Sequence, residues 1–195
     1  MNANNRKKIG VLALQGAVAE HIRMLEQSGA EGVPVKKPEQ LEGLSGLIIP
    51  GGESTTIGRL MRIYGFMQAI RDFYEEGKPI FGTCAGMIVI AKEIEGQPEA
   101  HLGLMDIKVA RNAFGRQRES FETDLRVEGM AEPVRAVFIR APLITSVGPG
   151  VKVLAEYNGQ IVAARQDRLL ACSFHPELTD DISMHTYFLG MAEGN

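Results

Sequence analysis

Short apolar runs alternate with amphipathic stretches through the first half of the chain. Residues 9–14 and 44–49 are apolar on both faces, which is the pattern of parallel strands covered by helices on each side. Between them, Val18, Ile22 and Leu25 recur at helical spacing. The alternation continues with a weaker edge strand at 33–36, helices at about 55–63 and 66–76, a strand at 79–82 and an apolar helix at 87–94. This order predicts a parallel sheet with helices on both faces.

The second half of the chain is richer in strand-like segments than in helices. The strand-like segments are residues 106–110, 121–127, 134–139, 151–157, 161–166 and 169–174, and a last helix covers about 180–192. Asn158-Gly159 is a strong hairpin dipeptide between two of these segments. The predicted fold class is therefore α/β, with three layers: a largely parallel central sheet, helices on both faces, and antiparallel strands in the second half. Because neither a repeat nor a linker interrupts the pattern, residues 1–195 are predicted to form a single domain.

Composition and charge narrow the function classes. Hydrophobic residues make up 45% and charged residues 23% of the 195 residues, which is enough for one full core without disulfides or metals. The formal net charge of −3 and the lack of a long basic block argue against a nucleic-acid binder, which must neutralise many phosphates. No apolar stretch approaches the ~18 residues of a membrane span, and the first apolar run is too short for a secretory signal. We therefore expect a cytoplasmic protein with two free cysteines.

The strongest local signal is the segment Gly82-Thr83-Cys84-Ala85-Gly86. It has the form of a strand-to-helix elbow, in which small flanking residues permit a tight turn that presents a nucleophile. A helix N-terminus favours the thiolate of Cys84, and the backbone N–H of Ala85 is well placed to help bind an oxyanion. From this segment alone, a cysteine that is simply buried between strand and helix remains an alternative.

A cysteine nucleophile needs a base, and His175 is the best-placed histidine. It follows a predicted strand directly, and the C-terminal ends of strands are where sites form in open α/β sheets. Glu177, two residues further on, could orient the imidazole as the third member of a triad. The other histidines are expected to lie elsewhere, on helix surfaces or at the edge of the core for His21 and His185, and in a loop for His101.

A glycine-rich loop, PGGESTT at residues 50–56, also joins a buried strand to a helix. Glycine lets backbone N–H groups approach a ligand closely, and Ser54 or Thr55 could cap the helix. A phosphate-binding loop is the rival interpretation, but the G-K-[ST] ending is missing and Glu53 would repel an anion. The loop therefore fits an oxyanion donor or a substrate-holding segment better.

Two arginines, Arg111 and Arg140, follow predicted strands and could face the same cleft. Arginine binds a carboxylate through two parallel hydrogen bonds, so both are candidates for a substrate carboxylate or for interior ion pairs. Cys172 and His175 have the spacing of zinc ligands, but a second ligand pair is missing. We therefore predict no metal site.

Together these segments make the chain resemble the class I, or triad, glutamine amidotransferases. The elbow at residues 82–86 and the His-Pro-Glu segment at 175–177 mark the wider class. The segments GVLALQG at 10–16, RNAFGRQ at 111–117 and FIRAP at 138–142 resemble the narrower group of glutaminase subunits of pyridoxal 5′-phosphate synthase. The resemblance runs essentially from end to end.

The resemblance implies a role for each of these residues. Cys84 would attack the side-chain amide carbon of L-glutamine, His175 would transfer protons and Glu177 would orient His175. The backbone N–H groups of Gly52 and Ala85 would form the oxyanion hole. The residues expected to contact glutamine are Gly52, Glu53, Ser54, Arg111, Ile139 and Arg140.

The resemblance also implies a partner. Because free ammonia would be lost to solvent, members of this group pass it to a barrel-shaped synthase subunit, whose dodecameric core carries up to twelve glutaminase subunits. That subunit combines ammonia with ribose 5-phosphate and glyceraldehyde 3-phosphate, so pyridoxal 5′-phosphate is the product and no cofactor is expected here. Two alternatives remain: a glutaminase that serves another synthase, and a non-catalytic cysteine redox sensor.

Overall fold

The first half of the chain folds as an alternation of parallel strands and helices, in a computed structural model that describes residues 5–114 and 120–194. The strands are β1 (Lys8–Leu12), β2 (Glu31–Val35), β3 (Gly46–Ile49) and β4 (Ile80–Thr83). The helices are α1 (Val18–Gln27), α2 (Ser54–Ile63), α3 (Phe66–Glu75) and α4 (Ala85–Ile90). The strands lie in the order β2–β1–β3–β4, all parallel, so their C-terminal ends meet at one edge of the sheet.

The second half extends this sheet with mostly antiparallel strands. They are β5 (Ala91–Ile94), β6 (Met105–Ala110), β7 (Ser120–Leu125), β8 (Val134–Ile139), β9 (Leu143–Val147), β10 (Lys152–Tyr157), β11 (Gln160–Gln166) and β12 (Leu169–Cys172), followed by α5 (Ser183–Ala192). β12 joins β4 in parallel, and the sheet continues as β12–β11–β9–β6–β5, with β10 beside β11. β7 and β8 form a separate antiparallel pair. The predicted α/β class with antiparallel additions is confirmed.

The sheet buries an apolar cluster on each of its faces. Successive residues of a strand point to opposite faces, and on β3 Leu47 and Ile49 join one cluster while Ile48 joins the other. The first cluster includes Phe66 of α3 and further residues of α2 and α4. The second includes Phe188 of α5 and further residues of α1. The helices therefore cover both faces, which leaves the strand ends as the accessible edge.

Two local predictions were wrong. The helix expected at 87–94 ends at Ile90, because residues 91–94 turn extended and pair in parallel with β6 as β5. Strand β9, which lies between β11 and β6, was not predicted from its sequence LITSV. In both places pairing with distant strands decides the conformation, and short segments carry little signal of it. Among the described residues, no helix is both long and apolar enough to cross a membrane.

Candidate active site

Strand β4 and helix α4 are joined by a single residue, Cys84. Its backbone has φ 51° and ψ −112°, a region that non-glycine residues rarely adopt and that tends to occur at functional sites. Glycines on both sides make this turn possible. A Cβ on Gly82 would crowd the backbone of Gly86, and a Cβ on Gly86 would collide with the carbonyl oxygen of Ile49. The elbow geometry expected from the sequence is therefore present.

Cys84 opens onto a cleft of about 380 Å³. The thiol is 7% exposed, and its Sγ lies 4.0 Å from the carbonyl oxygen of Ile139. The cleft brings together most of the residues singled out in the sequence. Its lining residues are Gly52, Glu53, Ser54, Cys84, Ala85, Ile88, Arg111, Asn112, Arg140 and Pro142.

His175 and Glu177 contact each other next to Cys84 but are not among the residues that line the cleft. His175 follows β12, and its backbone N–H donates to the carbonyl oxygen of Val137 on β8. Its Nδ1 is 2.6 Å from Oε1 of Glu177, whose side chain is fully buried. A Cβ added to Gly51 would lie 2.8 Å from Cε1 of His175 and 3.2 Å from Cβ of Cys84. Thiol, imidazole and glycine loop thus converge at one point, where no further side chain fits.

The two cysteines have different electrostatic surroundings. Burial lowers the pKa of His175, but hydrogen bonds to Cys84 and Glu177 and the charges of both outweigh burial and raise it to about 10. At pH 7 the ring of His175 is therefore positively charged beside Cys84. Cys172 is fully buried, and burial, followed by the charges of Glu177 and Cys84, raises the pKa of its thiol well above the usual value. Cys84 is therefore the thiol that the structure equips for chemistry.

Glu53, rather than Ser54 or Thr55, caps helix α2. Its carboxylate accepts hydrogen bonds from the backbone N–H groups of Thr55 (3.0 Å) and Thr56 (2.7 Å). The Thr56 hydroxyl has the largest effect on the pKa of Glu53, and with these N–H groups it outweighs the opposing effect of burial and lowers the pKa to about 2. Glu53 therefore stays anionic at the rim of the cleft.

The segment Gln15-Gly16 holds the glycine loop in place, a role that the sequence did not reveal. Oε1 of Gln15 accepts a 2.6 Å hydrogen bond from the backbone N–H of Glu53. A Cβ on Gly52, which has φ 144°, would lie 2.6 Å from that oxygen, and a Cβ on Gly16, which has φ 96°, would collide with the carbonyl oxygen of Gly51. The contact joins positions 38 residues apart, so nothing local could indicate it.

Backbone strain is concentrated around the cleft. Five described non-glycine residues have positive φ, and three of them, Cys84, Asn112 and Arg140, line the cleft. The other two, Asn158 and Asp167, occupy turns between strands. Strain of this kind persists where the surrounding structure holds it, often at binding sites.

Arg111 and Arg140 both reach the cleft, as expected. Arg111 donates to the hydroxyl of Thr55 at 3.3 Å. Within the described ranges neither arginine forms a salt bridge. The alternative that these arginines serve in interior ion pairs therefore finds no support. Residues 115–117 of the RNAFGRQ segment lie outside the described residues. No group of three or more described His, Cys, Asp or Glu residues could hold a metal ion.

His21 and His185 are fully buried, so the expectation of surface or core-edge positions was wrong. Their rings are hydrogen-bonded to each other at 2.8 Å, from Nδ1 of His21 to Nε2 of His185. Nε2 of His21 lies 3.2 Å from the hydroxyl of Thr83 and 3.6 Å from Oε2 of Glu177. A signal did exist, since His21 falls on the same helical stripe as Val18, Ile22 and Leu25.

Comparisons with known proteins give consistent results. The model of the SNO glutamine amidotransferase family matches residues 11–194. The pyridoxal 5′-phosphate synthase subunit PdxT of Niallia circulans is 76% identical over 184 residues, which cover 94% of this chain and 97% of that protein. The same subunit of Geobacillus kaustophilus is 62% identical over 186 residues, or 95% of each chain. A crystal structure of a glutamine amidotransferase superimposes with a TM-score of 0.91 at 53% identity, covering 95% of this chain and 98% of that one.

Proposed function

Since the chain belongs to the SNO glutamine amidotransferase family, we propose that it hydrolyses L-glutamine to L-glutamate and ammonia as the glutaminase subunit of a pyridoxal 5′-phosphate synthase. One observation carries the proposal. The Cys84 thiol stands on a strained elbow beside His175, whose Nδ1 is held at 2.6 Å by the buried carboxylate of Glu177. This is the arrangement of a catalytic triad, in which the cysteine is the nucleophile, the histidine is its base and the carboxylate orients the histidine.

In the first half-reaction, the sulfur of Cys84 attacks the amide carbon of glutamine. The C–S bond forms, and the negative charge that develops on the amide oxygen is stabilised by the backbone N–H groups of Gly52 and Ala85. Because Glu177 occupies Nδ1 of His175, Nε2 is the nitrogen that transfers protons. It protonates the amide nitrogen, the C–N bond breaks, and ammonia leaves a glutamyl thioester on Cys84.

In the second half-reaction, water hydrolyses this thioester. His175, now neutral, takes a proton from the water as the oxygen attacks the thioester carbon. The same two N–H groups stabilise the second oxyanion, the C–S bond breaks, and glutamate is released. The sulfur leaves beside the imidazolium of His175, which restores the starting arrangement.

The remaining cleft residues are proposed to hold the amino-acid end of glutamine. Arg111 and Arg140 carry guanidinium groups suited to its α-carboxylate, and the anionic Glu53 is suited to its α-ammonium. Ser54 and the backbone of Ile139 border the same space. A zwitterion needs both charges matched, and this cleft offers both.

We further propose that a barrel-shaped synthase subunit receives the ammonia. The relatives named above are subunits of pyridoxal 5′-phosphate synthase, and ammonia released into solvent would be lost. Ile139 and Leu178, which are 39% and 43% exposed, lie on the two segments that carry site residues, as apolar residues of a partner interface would. The assembly would be a synthase dodecamer with up to twelve glutaminase subunits in the cytoplasm, where both thiols stay reduced.

Glutamate release from glutamine tests this function, measured for the purified chain alone and with a pyridoxal 5′-phosphate synthase subunit added. We expect low activity alone and a large increase with the synthase, because glycine allows the Gly51–Gly52 peptide a second orientation, which contact with the synthase would select against the hold of Gln15 and Gly16. Cys84→Ala is the control and should be inactive in both. Glutamate release by Cys84→Ala, or none by a folded wild type in both conditions, would contradict the proposal.

A further inference from the structure

The second carboxylate oxygen of Glu177 has no hydrogen-bond donor among the described residues. Oε1 is bound to His175, whereas Oε2 is buried and lacks such a partner. A buried carboxylate oxygen without a donor is costly, and a carboxylate held at one oxygen is free to rotate away from the imidazole. The polar atom that faces Oε2 is Nε2 of His21, at 3.6 Å.

Two contacts hold the His21 ring in this position. It lies on α1 and is fully buried. Its Nδ1 is 2.8 Å from Nε2 of His185, and its Nε2 is 3.2 Å from the hydroxyl of Thr83, the residue that precedes Cys84. Burial, followed by the charges of His185 and His175, lowers the pKa of His21, so its ring is neutral at pH 7 and carries one N–H.

Two arrangements of protons are open to the contacts with His185 and Thr83, and they differ in what His21 presents to Glu177. If His185 donates its Nε2–H to Nδ1 of His21, the Nε2–H of His21 points at Thr83 and Glu177. If His21 instead donates from Nδ1, its Nε2 can accept from the Thr83 hydroxyl, but the same lone pair faces the negative Oε2 of Glu177. Nδ1 of His185 has no partner among the described residues in either arrangement. The charge of Glu177 therefore selects the first arrangement.

We propose that His21 is a positioning residue of the active site: its Nε2–H holds the second oxygen of Glu177, so that the first oxygen stays on Nδ1 of His175. This rests on the proposed glutaminase function. The present 3.6 Å distance needs a shift of only about 0.5 Å to become a hydrogen bond. Since His21 does not line the cleft, its loss should lower kcat for glutamine and leave KM unchanged.

The proton arrangement can be measured without any assay of activity. Nitrogen-15 spectra of the histidine rings in the whole wild-type chain distinguish the two neutral tautomers. We expect His21 to be neutral at pH 7 with its proton on Nε2. A proton on Nδ1, or a charged ring, would overturn the proposal.

A pair of amide substitutions tests the effect on catalysis. The side-chain N–H of His21→Gln reaches about as far as Nε2 of histidine, whereas that of His21→Asn reaches only as far as Nδ1 and cannot face Glu177. With the synthase subunit present, we expect His21→Asn to lower kcat about 10-fold at unchanged KM, the effect of losing a hydrogen bond to a charged group. His21→Gln should recover to within about threefold of the wild type.

Thermal melting of both variants controls for stability, because a purely structural role would make activity follow the melting temperature. Equal kcat in folded His21→Asn and His21→Gln would contradict the proposal. The alkylation rate of Cys84 by iodoacetamide gives a second readout that needs no turnover, and it should be slower in His21→Asn than in His21→Gln. If the wild type releases no glutamate, the proposed function fails, while the tautomer and the alkylation rates still decide the role of His21.

Discussion

Glu177 lies between two histidine environments with opposite electrostatics. On one side, burial lowers the pKa of His175, but hydrogen bonds and charges from Cys84 and Glu177 outweigh burial and raise it to about 10. On the other side, burial alone lowers the pKa of His185 to about 4. Both rings are enclosed, so burial alone does not explain the difference between the two pKa values. The difference comes from the groups that contact each ring.

Substitution by glutamine should affect activity very differently at His175 and at His185. His175→Gln removes the group that transfers protons, and we expect kcat for glutamine to fall by about 10⁴-fold, as in other triads that act as a unit. His185→Gln leaves Cys84, His175 and Glu177 in contact and should stay within about threefold of the wild type. Glutamate release with the synthase subunit present measures both. A similar loss of kcat in folded His175→Gln and His185→Gln would contradict a difference in role between the two histidines.

The same comparison predicts opposite dependences of folding stability on pH. The folded pKa of His185, about 4, is below its reference value of 6.5, so stability is full above pH 6.5 and falls as pH drops toward 4, by at most about 1.4 kcal/mol per pH unit. His175, with a folded pKa of about 10, contributes stability that is full below pH 6.5 and is lost as pH rises to about 10. Urea unfolding between pH 5 and 10 measures both.

Two variants separate the two contributions. His185→Leu should reduce the slope on the acid side of the stability profile, to which buried His21 also contributes, and leave the alkaline side unchanged. His175→Gln should flatten the alkaline side and leave the acid side unchanged. An acid side of unchanged slope in His185→Leu would mean that the ring is not held neutral in the folded protein.

The smallest expected effect concerns the second thiol. Cys172 lies at the end of β12, is fully buried, and donates from Sγ to the carbonyl oxygen of Phe174 at 3.4 Å. Cys172→Ser should lower the melting temperature by about 4 °C and leave activity within about twofold. An inactive Cys172→Ser that remains folded would show that Cys84 is not the nucleophile.

The sequence predicted the features of the site that depend on local chemistry. Gly82 and Gly86 flank Cys84 because only glycine fits beside the elbow backbone, and that requirement is readable in five residues. His175 was identified because it follows a buried strand, and strand ends define the accessible edge of the sheet. The parallel half of the fold was predicted for the same reason, since doubly covered strands are apolar on both faces.

Features that depend on distant contacts were missed. The ring contact between His21 and His185 joins positions 164 residues apart, and β9 is a strand because β6 and β11 pair with it. The role of Gln15 depends on a loop that follows β3. The cap of α2 was assigned to Ser54 or Thr55 because short polar side chains are usual at that position, whereas the longer Glu53 reaches back to the same N–H groups.

The most direct test of the account is to look for the covalent intermediate. The wild-type chain with the synthase subunit would be mixed with glutamine, quenched in acid within a single turnover, digested, and examined by mass spectrometry. We predict a glutamyl adduct on the peptide that contains Cys84 and none in Cys84→Ala. Rapid glutamate formation with no adduct on Cys84, or an adduct on Cys172, would contradict it.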